Sequence, residues 1–122
     1  MIVIGTIGGS EFTLVNLYAP NEDCPNFFKM IASLLADKAE GIILIGGDFN
    51  CILRQNVDRL PARVGPMSKK SITLHAMMDE LGLVDVWRHI HPREKDYTFM
   101  SHVHGSHSRL DMLLISETYV QN

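Results

Sequence analysis

The segment Gly46–Gly47–Asp48–Phe49–Asn50 sets a carboxylate and a carboxamide two positions apart, directly after the apolar run Ile42–Ile45. Asp48 can orient a water, bind a cation or act as a base. Asn50 offers both a donor and an acceptor to a phosphate oxygen. The paired glycines let the backbone turn sharply and let another group come close. The same residues equally suit a turn in which Asp and Asn hydrogen-bond their own backbone. A second cluster, His102, His104 and His107, has donors for zinc. A fourth ligand would have to come from His89, His91 or Asp111, and the competing reading is a polar hairpin tip. Cys51 follows the Asp48 loop without an adjacent base, so it is no nucleophile candidate.

The elements that must position these groups read as α/β. Met1–Thr6 and Glu11–Tyr18 flank Gly8–Gly9–Ser10 and predict a β-hairpin. In its second strand Phe12, Leu14, Asn16 and Tyr18 share one face, and Thr13, Val15 and Leu17 the other. An amphipathic helix is expected over about Pro25–Glu40, capped by Asp23 or Asn21 and ended by Gly41. Ile42–Gly46 predicts a central strand apolar on both faces, with the Asp48 loop at its carboxyl end, where α/β sheets bind ligands. Arg54–Pro66 reads as a polar surface loop. A second helix spans Lys69–Leu81 between Ser68 and Gly82, with Met77 and Met78 as core filler. Tyr97–Ser101 and Arg109–Ile115 read as paired strands around the tip His102–His107. Lys69–Lys70 and Arg54, Arg59 and Arg63 read as solvated basic clusters that could touch a DNA backbone. The sum is five or six strands and two clear helices.

Composition limits the function classes. The 122 residues fit one domain, and 46% hydrophobic content with a formal charge of −3 excludes disorder and a general basic clamp for nucleic acid. Two cysteines, Cys24 and Cys51, cannot build a disulfide framework or a four-thiolate zinc site. The short apolar run Ile42–Ile45 is far below the roughly 20 residues of a membrane span, and Met1–Ser10 lacks the basic start of a signal peptide. The expected setting is intracellular, with reduced thiols and no membrane partner.

Four segments, in order, carry a family resemblance: Asn16–Leu17–Tyr18–Ala19–Pro20–Asn21, Gly47–Asp48–Phe49–Asn50, Tyr97–Thr98–Phe99 and Ser108–Arg109–Leu110–Asp111. Val57–Asp58–Arg59 and Leu83–Val84–Asp85 lie between them. Together they resemble the endonuclease/exonuclease/phosphatase superfamily, and most of all the apurinic-like endonuclease domain of LINE-type, non-LTR retrotransposons. The resemblance implies hydrolysis of a phosphodiester in duplex DNA with Mg²⁺. It assigns Asp48 to the attacking water, Asn50 to the phosphate and its developing charge, and Asp111 to orienting the catalytic histidine. Tyr18 and Thr98 fall on phosphate- and backbone-contacting positions. His104 and Arg109, with Ser106 and Ser108, lie on a hairpin that meets DNA in this family. The plainer alternatives are an interior Tyr18 with its hydroxyl paired, an ordinary strand threonine at 98, and an Asp111 paired with Arg109.

The same resemblance implies a longer domain of two packed sheets flanked by helices. Residues 1–122 then correspond to its C-terminal part, mainly one mixed sheet with helices on one face. The family's metal-binding glutamate has no match here, and its Ser-Asp-His motif should arrive after Gln121–Asn122. The expectation is a module inactive by itself, since losing one member of a catalytic set can cost nearly as much as losing all. A bare sheet face is expected around Ile42–Ile45 and Met112–Ile115, open to a partner or to self-association. The competing readings are a non-catalytic nucleic-acid-binding relic and a small His-rich zinc domain.

Overall fold

In the computed structural model, which describes residues 1–120, the alternation along the second strand decides which side of the sheet is covered. β1 (Ile2–Ile7) and β2 (Ser10–Tyr18) form the expected antiparallel hairpin, turning on Gly8 and Gly9 at φ 57° and 84°. Thr13, Val15 and Leu17 are buried, while Leu14, Asn16 and Tyr18 face the other way. α1 (Asn26–Lys38) then returns the chain to β3 (Ile42–Asp48), which lies parallel to β2. Gly41 makes that entry possible. It sits at φ 67°, and a Cβ there would lie 2.1 Å from the Glu11 carbonyl oxygen.

β3 runs two residues further than the sequence suggests, because Gly47 and Asp48 stay paired with Leu17 and Tyr18. The segment after it is no plain surface loop. Asp58 is fully buried, and β4 (Arg59–Leu60) pairs with β7 (Ser106–Ser108). α2 (Lys69–Leu81) has the expected ends: Ser68 Oγ accepts from the Ser71 N–H, and Gly82 closes it at φ 64°. β5 (Leu83–Asp85) and α3 (Val86–Ile90) follow.

Two expectations are corrected. Asp23 does not cap α1, whose N-cap is Pro25 without a side-chain bond. It accepts instead from the Lys69 and Lys70 N–H groups at the start of α2. The segment 97–101 does not pair with 109–115 either. β6 (Phe99–Ser101) pairs with β7, leaving β8 (Asp111–Ser116) free to lie between β3 and β5. His107 therefore belongs to a strand and not to the tip. A short α4 (Glu117–Val120) ends the described chain; Gln121 and Asn122, where the sequence reading placed the end of the module, lie outside it.

The result is a mixed five-stranded sheet in the order β1-β2-β3-β8-β5, with a three-stranded sheet β4-β7-β6. The fold class is the mixed α/β one read from the sequence. α1 and α2 cover one face, packing Phe28, Ile31, Leu35, Leu74 and Met77 on Val15, Leu17, Ile43, Ile45 and Leu114. Burying each such side chain fully contributes roughly 1.5–3 kcal/mol. The opposite face lacks α1 and α2, and α4 reaches it where Tyr119 packs edge-on against Phe12, with 6.3 Å between ring centroids. There Val3, Leu14, Leu44 and Leu113 line a hollow of about 330 Å³, with Val3 48% and Leu113 42% exposed. β3 is thus central in strand order but fully covered on one side only. No helix among the described residues is long and apolar enough to cross a membrane.

Candidate functional site

Strand register builds the site. Tyr18 on β2 lies opposite Asp48 on β3, and Asp48 lies opposite Asp111 on β8. Residues directly opposite in a sheet point to the same face, so the three side chains form one row on the side opposite α1 and α2. Gly47 permits this register. At φ 142° it lies where a Cβ would be 2.0 Å from the Leu17 carbonyl oxygen. Tyr18 is 77% exposed, not the interior tyrosine with a paired hydroxyl.

The backbone turns away immediately after the row. Asp48 Oδ1 accepts from the Asn50 N–H at 2.9 Å, so the local Asp/Asn turn exists, and the Asp48 carboxylate is half-buried. Asn50 sits at φ 49°, and its Nδ2 donates to the Ala19 carbonyl at 2.7 Å. Thr98 secures the far end of the row: its Oγ1 accepts from the N–H groups of Leu110 and Asp111 at 3.0 and 3.2 Å. Thr98 is exposed and can still meet a ligand. Beside Asp111 lies a hollow of about 420 Å³ lined by Trp87, Tyr97, Thr98 and Leu113.

Lys70, read from the sequence as solvated, is only 3% exposed. Its Nζ donates to the carbonyls of Pro20, Asn21 and Asn50 at 2.8, 3.4 and 2.7 Å. The ammonium thus ties the loop after β2 to the loop after β3, directly under Asn50. Lys70, Leu74 and Met77 recur at i, i+4 and i+7 on the buried stripe of α2. That helical spacing was the sequence signal that could have found it.

A buried ionic cluster supports the other end. Asp58 Oδ1 accepts from Arg88 Nη2 at 2.5 Å and from Arg109 Nε at 2.9 Å, and its Oδ2 from the Arg54 N–H at 3.0 Å. Asp85 caps α3 through the Arg88 N–H and takes Arg109 Nη2 at 2.5 Å. The Trp87 ring lies 4.9 Å from the Arg88 guanidinium and 5.4 Å from that of Arg109. Burial pushes the Asp58 pKa up, but hydrogen bonds from Arg109 and Arg88 outweigh it and hold the group below its ordinary value. Burial likewise works against the Arg109 charge, and Asp85 and Asp58 more than restore it.

Arg109 is therefore not where the family likeness put it. It is 3% exposed and its guanidinium is committed to Asp58 and Asp85, not to Asp111 or to solvent. It braces the strand that carries Asp111. The words Val57–Asp58–Arg59, Leu83–Val84–Asp85 and Ser108–Arg109–Leu110–Asp111 meet in this cluster, a convergence no spacing announces.

The histidines do not converge in the same way. His102 and His104 are exposed on the tip, while His107 is half-buried in β7 against the Tyr97 ring, at 5.8 Å. Among the described residues no group of three or more His, Cys, Asp and Glu could hold a metal ion. That corrects the zinc reading. Asp48 and Asp111, adjacent in register, offer a partial donor set for the Mg²⁺ that the family likeness implies, and its remaining ligands would be phosphate oxygens and water. Cys51 is buried beneath the Asp48 loop, and burial pushes its thiol up to about 11, as befits a core residue.

No protein-family model matches the chain. Among solved structures, an AP endonuclease from Archaeoglobus fulgidus superposes with a TM-score of 0.73 at 20% identity, over 98% of this chain and 54% of that one. An AP endonuclease from Leishmania major gives 0.70 at 17% identity, over 95% and 44% of the two chains. A 3′ phosphatase from Neisseria, bound to a product DNA hairpin, gives 0.65 at 19% identity, over 96% and 52%. The chain spans about half the length of the solved structures it matches. At these identities the likeness is one of fold: the mixed sheet with its helices is that of the AP endonucleases and related exonucleases and phosphatases.

Proposed function

We propose that this chain handles a phosphodiester of duplex DNA as part of a retrotransposon-type endonuclease module, and that it does not cleave DNA by itself. The observation that carries the reading is the in-register row Tyr18, Asp48 and Asp111, continued by Asn50 on one side and Thr98 on the other. Asp48 orients the attacking water, Asn50 holds the phosphate, Tyr18 contributes its exposed hydroxyl, and Thr98 faces the DNA backbone. Asp111 is the orienting carboxylate. His104 stands on an exposed tip that reaches DNA flanking the cut. The Tyr18–Ala19–Pro20–Asn21 and Ser108–Arg109–Leu110–Asp111 wording favours the retrotransposon branch. Supporting DNA as the partner is the DNA hairpin bound by one protein of the same fold.

Inactivity follows from chemistry. The family's metal-binding glutamate has no match in the row, and one or two carboxylates hold Mg²⁺ only together with substrate phosphates and water, so the row alone is a weak metal site. The free Cys24 and Cys51 support an intracellular setting. The bare apolar face favours self-association when nothing else covers it.

Nicking of supercoiled plasmid, with Mg²⁺ or with chelator, tests the reading beside binding of a labelled duplex, each with Asp48→Ala as control. We expect duplex binding and no Mg²⁺-dependent nicking above the variant. Nicking abolished in Asp48→Ala would overturn the inactivity. Failure of the folded chain to bind any duplex would overturn the DNA reading.

A further inference from the structure

Adjoining Asn50 is a second hollow, of about 280 Å³, to which Arg59, Arg63, Gln55, Ser108 and Lys70 contribute. Its guanidiniums differ from the two in the buried cluster. Arg88 and Arg109 are paired with carboxylates, whereas Arg59 and Arg63 enter no ion pair among the described residues. Arg59 Nε is buried and lacks a hydrogen-bond partner; the unpaired Gln55 Oε1 is an acceptor, which a water or other donor would satisfy and an anion would not. A buried donor left unpaired costs about 1–3 kcal/mol, and such an orphan calls for an explanation such as a missing ion.

The chain is folded to present these groups. Arg59 begins β4 in register with Ser108 on β7. Arg63 is brought back by its N–H to the Gln55 carbonyl at 3.3 Å, and Gln55 Nε2 reaches the Gly65 carbonyl at 3.4 Å. The carboxylate at the hollow, Asp23, is already engaged by the Lys69 and Lys70 N–H groups. Beneath lies the Lys70 ammonium, held by carbonyls alone. Three cations thus face one occupied carboxylate. A planar guanidinium fork matches the oxygens of a phosphate.

From the unpaired Arg59 and Arg63 lining a hollow that shares Asn50 with the Asp48 row, we infer a second phosphate subsite, which takes a neighbouring phosphate of the same nucleic-acid strand. This rests on the proposed reading of the row as a phosphodiester site. It gives the 54–66 segment a purpose: fixing the direction in which the strand leaves Asn50.

Two measurements on the whole chain test it. The first is titration with inorganic phosphate, followed by NMR at the Arg59 and Arg63 side chains and the Ser108 amide. The second is the salt dependence of labelled-duplex binding. We expect saturable shifts in the wild type that are lost in Arg59→Gln/Arg63→Gln, and a logarithmic salt slope lower by about one in that variant. Phosphate binding at the hollow without duplex binding would uphold the anion site while removing the DNA reading. Duplex binding with the same affinity and slope in the variant would overturn the subsite and leave the DNA reading standing. Absence of saturable shifts in the wild type would also overturn the subsite. Should the double variant misfold, Arg63→Gln alone decides, because that side chain is exposed and holds nothing together. It should then weaken phosphate binding several-fold, and unchanged binding would overturn the subsite.

Discussion

Arg109 donates its Nε to Asp58 at 2.9 Å although 51 positions separate them, and in doing so it anchors the start of the strand that carries Asp111. The row that faces solvent is therefore held from behind by charges that never reach it.

Asp58→Ala should destabilise the fold by about 3–5 kcal/mol, because it leaves the Arg88 and Arg109 guanidiniums buried with one carboxylate fewer. Urea unfolding measures this directly. A loss below about 1 kcal/mol, the level of an exposed pair, would show that the cluster is not the brace described.

The same carboxylate sets an acid sensitivity. Its pKa is lower in the folded chain than the ordinary value of 3.8, so the unfolded chain binds more protons as pH falls through that range. Its contribution is complete above 3.8 and is lost as pH falls towards the folded value. Asp23, held low chiefly by the Lys70 and Lys69 N–H groups, acts with the same sign. Urea midpoints from neutral to about pH 3 should fall more steeply in the wild type than in Asp58→Asn. Equal slopes would count against the assignment.

Lys70→Met keeps the length of the side chain and removes its donors from the Pro20, Asn21 and Asn50 carbonyls. A loss of about 1–3 kcal/mol is expected. Hydrogen exchange should quicken at the Asn50 N–H, which bonds Asp48, more than in β2. Uniform quickening would mean global weakening and no specific hold on the loop.

Gly47→Ala tests the register. Its φ of 142° and the Leu17 carbonyl 2.0 Å from the added methyl force β2 and β3 to shift. A cost of about 1–3 kcal/mol or more is expected, with altered chemical shifts at Tyr18 and Asp48 and little change in α2. A neutral substitution would refute the close approach.

Leu113→Lys places a charge on the open face, where Leu113 is 42% exposed beside Leu44 and Val3. Sedimentation should show concentration-dependent association of the wild type and a monomeric variant. A wild type that remains monomeric up to high concentration would remove self-association as a property of this face.

Local pattern was legible wherever a period or a cap acts within a few residues. The alternation in β2, the Ser68 and Gly82 ends of α2 and the apolar β3 are written in neighbouring positions. At Lys70 a doublet of lysines suggests a solvated face, while its place on the Leu74–Met77 stripe says otherwise. For Asp23 the nearest helix start in sequence is α1, and the one it caps in space is α2. Sequence spacing groups His107 with its chain neighbours, although β7 pairs it with Met100 and Leu60 and carries it away from the tip.

The sequence by itself determined the α/β class, the two long helices and the candidate Asp48 and Asn50, because hydrophobic period, caps and glycine turns are short-range effects. Only the tertiary structure decided that Tyr18, Asp48 and Asp111 stand in one row, that Arg109 braces the site, and that Arg59 and Arg63 line a hollow beside Asn50. Those relations depend on strand order and register, which join residues far apart in the chain. Ionic pairs such as Asp58 with Arg109 exist only after that folding has removed water from around them.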